Sequence, residues 1–232
     1  MAPTLSIIIP CLNEAAGIVS MLESLQSLRA RGVEVIVADG GSSDDTAVLA
    51  APLADRVVHA PRGRAAQMNA GAALARAEIL LFLHADCVLP PDADQLIVVG
   101  LTGGAHQWGR FDIALDGVHP LLRVVACTMN LRSRLTGIAT GDQGIFIART
   151  LFARLGGFPA LPLMEDIALS RLAKRTGAPL CLRERIVTSA RRWERHGVLR
   201  TIVLMWQLRL AYFLGADPAR LALRYHASQL RD

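Results

Sequence analysis

Over the first hundred residues, short β-branched apolar runs alternate with segments whose apolar positions recur every three or four residues. Residues 5–10, 33–38 and 79–83 read as buried strands, and 56–59 as a shorter one. Residues 14–30, 44–51, 65–75 and 91–101 read as helices, with Ile18, Leu22, Leu25 and Leu28 on one face of the first. Ser42 or Ser43 is placed to cap the second helix, and Pro91 to open the fourth. Strands and helices that alternate in this way predict a parallel sheet covered on both faces. Gly103-Gly104 breaks the rhythm. Beyond it, 109–115 and 144–148 read as strands, 119–135 and 165–176 as helices, and an apolar, arginine-dotted tail over 198–232 as mostly helical. The expected class is α/β, a Rossmann-like, mostly parallel sheet with helices on both faces and a helical C-terminal extension.

Two strand ends carry acids. Asp39 follows the second strand and Asp86 the fourth, 47 positions later. Ligands of open α/β sheets bind outside the carboxyl ends of the strands, so both acids are expected at one crevice. There, one carboxylate can read a base or ribose while the other holds a divalent cation against phosphates. A dinucleotide site would need G-x-G-x-x-G after the first strand. The chain has Pro10-Cys11-Leu12-Asn13-Glu14 instead, with no glycine before Gly17. The division that follows is a single domain, with 1–103 as nucleotide-binding half, 104–197 as acceptor half and 198–232 as tail.

With 232 residues, 52% apolar and 19% charged, the chain can bury a large core. Its net charge of +5 suits an anionic ligand or an anionic membrane surface. Aromatics make up only 5%, with no stacking platform beside a basic run, so no nucleic acid partner is expected. Cys11, Cys87, Cys127 and Cys181 are scattered, and they read as reduced packing residues of a cytoplasmic protein rather than a disulfide frame or a zinc site. No signal peptide is read at the N-terminus. Residues 198–214 are the longest apolar stretch, but Arg200, Gln207 and Arg209 interrupt it, and the two arginines fall on opposite sides of a helix. An interfacial or core helix is expected there, with membrane contact at the inner face as an addition. The sequence leaves the oligomeric state open.

The segments Ile7-Ile8-Ile9-Pro10-Cys11-Leu12-Asn13-Glu14, Asp39-Gly40-Gly41-Ser42-Ser43-Asp44-Asp45-Thr46 and His84-Ala85-Asp86, in this order, resemble the family 2 glycosyltransferases of GT-A fold. The resemblance covers essentially the whole chain. Thr140-Gly141-Asp142-Gln143-Gly144, Met164-Glu165-Asp166 and Thr188-Ser189-Ala190-Arg191-Arg192-Trp193 are similar to a bacterial subfamily described as radical-SAM/selenodomain-associated, or arsenosugar-biosynthesis, glycosyltransferases. The resemblance implies an inverting, metal-assisted transfer of a sugar from a nucleoside diphosphate donor, commonly UDP-linked, to a small or lipid-linked acceptor. It implies that Pro10, Asn13 and Glu14 line the nucleoside pocket, with Gly41 and Ala85 also on the donor. Asp39 would accept a hydrogen bond from the base; Asp-Gly-Gly is also good turn chemistry, so a turn cap is the competing role.

The family's metal-flanking aspartate pair stands here as His84-Ala85-Asp86. Residues i and i+2 of an extended segment face the same way, so both are expected to reach one ion. Mg²⁺ and Mn²⁺ favour oxygen, which makes Asp86 the expected ligand. His84 departs from the pattern; it contacts ribose or a phosphate-bound water, or packs. His196 is a third-ligand candidate by position alone.

Arg64 opens the helix after the third strand, where backbone N–H groups favour an anion. It reads as a phosphate ligand, or else as a surface arginine. Asn69 is family-like without an assigned role. On a helical wheel, Ala168, Leu169, Leu172 and Ala173 define a buried arc, with Glu165 near its centre and Asp166 at its edge. The edge borders a cleft, so Asp166 is the expected general base, kept ionised by the helix N-terminus. The alternative is a pair of first-turn acids complementing the dipole. Asp142, in an acceptor-contacting segment, is the second base candidate. Arg192 is expected on the diphosphate, and Trp193 either stacks on the ligand or anchors the core. Two other readings stand: a nucleotide-sugar-binding protein without catalysis, and a peripheral membrane protein docking through 198–232.

Overall fold

The structure, a computed structural model, describes residues 3–229; for Arg192, His196, His226, Ser228 and Gln229 it describes the backbone alone. Eight strands form one sheet: β1 (Ser6–Cys11), β2 (Glu34–Asp39), β3 (Arg56–His59), β4 (Ile79–Phe82), β5 (Cys87–Val88), β6 (Trp108–Asp116), β7 (Ile145–Ala148) and β8 (Leu180–Ser189). Their order is β3-β2-β1-β4-β7-β6-β8-β5. The first four are parallel, as the alternation predicts. The other half is mixed: β7 runs antiparallel to both β4 and β6, β8 is parallel to β6, and β5 is antiparallel to β8.

Successive residues of a strand point to opposite faces, and each face here has its own core. Ile7, Ile9, Val35 and Val37 pack under α1 (Ile18–Ser24), α2 (Gln26–Ala30) and α5 (Ala93–Thr102). Ile8, Ile36, Leu80 and Phe82 pack under α4 (Arg64–Leu74), α7 (Arg149–Arg154) and α8 (Glu165–Ala173). Pro10 lies past the last β1–β4 partners, Ile8 and Phe82, where its missing N–H breaks no bond to β4.

The structure corrects several boundaries. The helix expected over 14–30 begins at Ile18 and divides at Leu25. Its first residues form a turn whose N–H groups are bonded by Asp44 and Thr46 instead. Neither Ser42 nor Ser43 caps α3 (Thr46–Ala50); Asp44 Oδ1 accepts the Thr46 N–H at 3.1 Å. Strand β8 escapes the periodicity because Arg183, Glu184 and Arg185 are exposed at its middle, opposite a bulge between Phe111 and Asp112 of β6.

The expected tail folds back onto the body. After α6 (Pro120–Thr136) and α9 (Arg191–His196) come α10 (Val198–Phe213) and α11 (Pro218–Gln229), joined through Gly215 at φ 88. Leu208, Leu221 and Tyr225 pack on Met164 and Ile167 at the start of α8. Residues 230–232 lie outside the described residues.

Candidate active site

Because β2, β1 and β4 run parallel as neighbours, the loops that leave them emerge at one edge of the sheet. Cys11 sits opposite Asp39 across β1 and β2, and Asp86 follows β4 on the other side. Asp39 and Asp86 therefore share an edge. Polar side chains stitch the first two loops together. Asn13, in the left-handed region at φ 56, donates its N–H to Ser42 Oγ at 2.9 Å and accepts the Ser43 N–H at 2.8 Å. Glu14 N–H donates to Thr46 Oγ1 at 2.8 Å. Behind both loops, Gln67 of α4 donates to the carbonyls of Cys11 (2.6 Å) and Ala38 (2.9 Å).

Asp39 is 2% exposed, and its carboxylate accepts from Gly41 N–H, Ser42 N–H and Ser42 Oγ, with His59 Nδ1 at 3.5 Å. Burial would raise its pKa, but these donors hold it below the usual carboxylate value. The turn-cap role is thus the one on view, and Gly41 supplies it with φ 82. Glu14 has a raised pKa, from burial first and then from the Asp86 charge, opposed by Arg191 and Arg64. Those four side chains thus form one electrostatic group at the sheet edge. Burial, with Glu14 and Asp39 nearby, drives the Cys11 thiol up, so it is no activated nucleophile.

A cleft of about 560 Å³, open to solvent, adjoins this edge. Arg64 and His84 enter it from the first half, Thr140, Gly141 and Asp142 from the turn before β7, and Glu165 and Asp166 from α8. Met205, Arg209 and Tyr225 of the tail complete the wall. Asp166 is half-buried and Glu165 buried, as the wheel predicts. Asp166 Oδ2 accepts the Gly141 N–H at 2.8 Å and Oδ1 its own helix's Ile167 N–H at 2.7 Å. Burial, then Asp166, raises the Glu165 pKa, and Arg64 opposes them. Desolvation works against the charge on Arg64, but Glu165, Tyr225, Asp142 and Asp166 outweigh it and raise its pKa. Met164, the N-cap of α8, is held at φ 70.

The paired geometry expected of His84 and Asp86 does not form. Residues 85 and 86 are in a turn rather than an extended segment. His84 is 9% exposed, lies against Gly141, and sets Nδ1 3.1 Å from Asp142 Oδ1. Asp86 is exposed, and Ala85 packs against the core beneath β4. No three His, Cys, Asp or Glu side chains among the described residues converge to hold an ion. Among the described residues Asp86 Oδ1 meets only the Cys87 thiol at 3.7 Å, too weak to tie it down. An exposed carboxylate of this kind fits a Mg²⁺ or Mn²⁺ that takes its other oxygens from substrate phosphates.

Asn69 exchanges two 2.9 Å bonds with the backbone of Phe158, which makes it a clamp between α4 and the loop before α8. Trp193 packs against the cluster of Leu122, Val125 and Val198, the anchoring role. The side chains of Arg192 and His196 lie outside the described residues. Sequence reasoning missed Gln67, Arg191, Arg132 and Arg209. For Arg209 the sequence holds a signal, one of two arginines in an otherwise apolar helix, which by itself argues only against a membrane span.

A parallel half that gathers acids at its strand ends, extended by a mixed half bringing a second set to one cleft, is the GT-A architecture. Residues 6–106 match the family model described as Glycosyl transferase family 2. An uncharacterised glycosyltransferase of Mycobacterium tuberculosis is 32% identical over 165 residues, 68% of this chain and 63% of the relative. The chain thus spans under two thirds of the length of that relative. Among solved structures, residues 1–349 of Staphylococcus aureus TarS give a TM-score of 0.65 at 19% identity, over 86% of this chain and 64% of that one. Glucosyl-3-phosphoglycerate synthase of M. tuberculosis, solved with Mn²⁺, UDP and glucosyl-3-phosphoglycerate, gives 0.58 at 24% identity, over 79% and 70%. Together these findings show the GT-A fold and a similarity to family 2 glycosyltransferases centred on residues 6–106.

Proposed function

We propose that this chain transfers a sugar from a nucleoside diphosphate donor, UDP-linked, to a hydroxyl of a small or lipid-linked acceptor, by a single displacement that inverts the anomeric carbon. One observation carries the reading: Arg64, at the phosphate-suited start of α4, lines the same cleft as Asp166, and its charge also reaches Glu14 of the nucleotide edge. Donor and acceptor chemistry can therefore meet at one point. The first turn of α4 follows Gly63, with no side-chain cap, which leaves its N–H groups for an anion. Arg64 and Arg191 would hold the diphosphate, and Asp86 would be the protein ligand of a divalent cation. When bound, such a cation neutralises charge on the departing diphosphate. Asp166 would take the acceptor's proton, its carboxylate oriented at the α8 N-terminus by the Gly141 N–H. Asp142 is held by His84 instead. The subfamily reading, which suggests arsenic- or selenium-linked metabolism, rests on the resemblance of the segments around Asp142, Asp166 and Trp193.

A thermal-shift screen of nucleoside diphosphates with Mn²⁺, followed by transfer assays on the nucleotide that binds, tests the proposal. UDP is expected to raise the melting temperature. A protein that responds to no nucleoside diphosphate would sink it.

A second reading, compatible with the first, is peripheral membrane contact. Leu199, Val203, Trp206, Leu210 and Phe213 recur along α10 at spacings of three and four, each more than half exposed. No helix among the described residues is long and apolar enough to cross a membrane. A stripe of this kind suits the plane of an interface. Co-sedimentation with anionic liposomes is expected for the wild type and not for Trp206→Glu; equal sedimentation of the two would reject it.

A further inference from the structure

Among the described residues, two guanidiniums within electrostatic range of Asp166 form no ion pair. Arg132 of α6 has Nε and Nη2 shut away from solvent with no acceptor among the described residues. Arg209 of the neighbouring α10 is half-buried and lines the cleft. Neither makes an ion pair within 4.0 Å among the described residues, whereas Arg29, Arg31, Arg76, Arg110, Arg134 and Arg149 all do. Asp166 attracts both at longer range, and Asp142 also attracts Arg209, but each Asp166 oxygen is already bonded to a backbone N–H.

Such an arrangement is costly as it stands. A buried donor without an acceptor loses its hydration and gains nothing back, and a buried charge loses more. The two arginines also repel each other: burial first, then Arg209, brings the Arg132 pKa down to about 10. Arg132 therefore remains a cation near neutrality, with two unused donors. An oxyanion between the pair would relieve all three costs, since guanidinium forks match the oxygens of phosphate and carboxylate.

We propose that Arg132 and Arg209 form an anion subsite that receives a phosphate or carboxylate group carried by the acceptor. Its assignment to the acceptor rests on the transfer reading above; the anion site itself does not. Both arginines come from helices of the second half: Arg209 lines the cleft with Asp166, and Arg132 lies behind it on α6, within electrostatic range of both. Arg64 and Arg191 already serve the nucleotide edge. An anchored anion would hold the acceptor by a group remote from the reacting hydroxyl, which is how binding energy positions a nucleophile.

The test uses the full chain and four probes: inorganic phosphate, glycerol 3-phosphate, glycerate and glycerol, titrated by calorimetry at constant ionic strength. Glycerol 3-phosphate or glycerate is expected to bind and glycerol not, and the stronger of the two anions identifies the group. Arg132→Met and Arg209→Gln are each expected to weaken that binding by about tenfold or more. UDP affinity, measured in the same preparations, separates the two proposals: loss of UDP binding in the wild type would sink the transfer reading and leave the anion site standing. Arg132→Met should also melt no lower than wild type, because it removes an unpartnered charge, while losing the stabilisation that phosphate gives. A variant that melts well below wild type, or that binds the anions as tightly, would overturn the subsite, as would a wild type that binds none of them.

Discussion

The backbone N–H of Gly141 donates to Oδ2 of Asp166 across 2.8 Å, joining the turn before β7 to the first turn of α8. That bond orients the carboxylate, and a single substitution tests its role. Asp166→Asn retains one oxygen for Gly141 but cannot accept a proton. Its turnover is expected to fall by about 10²–10⁴-fold, the usual span for a lost general base, with UDP affinity unchanged. Steady-state kinetics beside calorimetry checks it. If Asp142→Asn shows the larger loss, the base has been misassigned.

Gln67 bridges the ends of β1 and β2, and no other described side chain donates to both the Cys11 and Ala38 carbonyls. Replacing it by leucine fills similar volume but removes two buried hydrogen bonds, leaving the Cys11 carbonyl with the Gly40 N–H at 2.9 Å. The cost is expected to be about 1–3 kcal/mol in urea unfolding. Donor affinity should fall with it, because the loops carrying Asn13 and Asp39 start from those strand ends. Unchanged stability would mean that water replaces the amide.

Much of the first half follows from local rules, and the reason is visible in Ile7, Ile8 and Ile9. A continuous β-branched run between turn signals has few ways to be buried other than as a central parallel strand. The motif acids were likewise readable, since strand ends locate themselves. What failed was tertiary. Residues 84–86 read as extended, yet Ala85 and Asp86 turn, and His84 is drawn under Gly141, which has no Cβ to obstruct it. Asn69 and Gln67 are polar residues on a helix, and only contacts with Phe158 and Cys11, 89 and 56 positions away, reveal their tasks. Arg132 and Arg209 come within electrostatic range of each other by the packing of α10 on α6, which no periodicity encodes.

Glu34 makes stability depend on pH. It is 2% exposed, accepts from Ser6 Oγ at 2.6 Å and from Arg76 N–H at 2.9 Å, and pairs with the Arg76 guanidinium at 2.7 Å. Burial would raise its pKa, but these donors together bring it below the ordinary value. A carboxylate depressed in the folded state contributes stability that is fully present above its unfolded pKa, near 4.3, and is lost as pH falls through the folded value. Glu34→Gln is therefore expected to lower the melting temperature at neutral pH and to narrow its gap from wild type on acidification below about pH 4. A gap that stays constant down to pH 2 would assign the loss to packing rather than to charge.

Met164 sets two opposed effects against each other. Its φ of 70 lies where glycine is at ease and a side chain costs about 1–2 kcal/mol, so Met164→Gly relieves strain. The same side chain is 8% exposed and packs with Ile167, Leu208, Leu221 and Tyr225, and truncating a buried methionine costs about 2–5 kcal/mol. The cavity outweighs the strain, and a net destabilisation of about 1–3 kcal/mol is expected in denaturant titration. Activity should fall further than stability alone requires, because Met164 directs the chain into Glu165 and Asp166 while seating the tail helices that carry Arg209. A glycine variant more stable than wild type would show instead that the left-handed turn is held against the packing rather than by it.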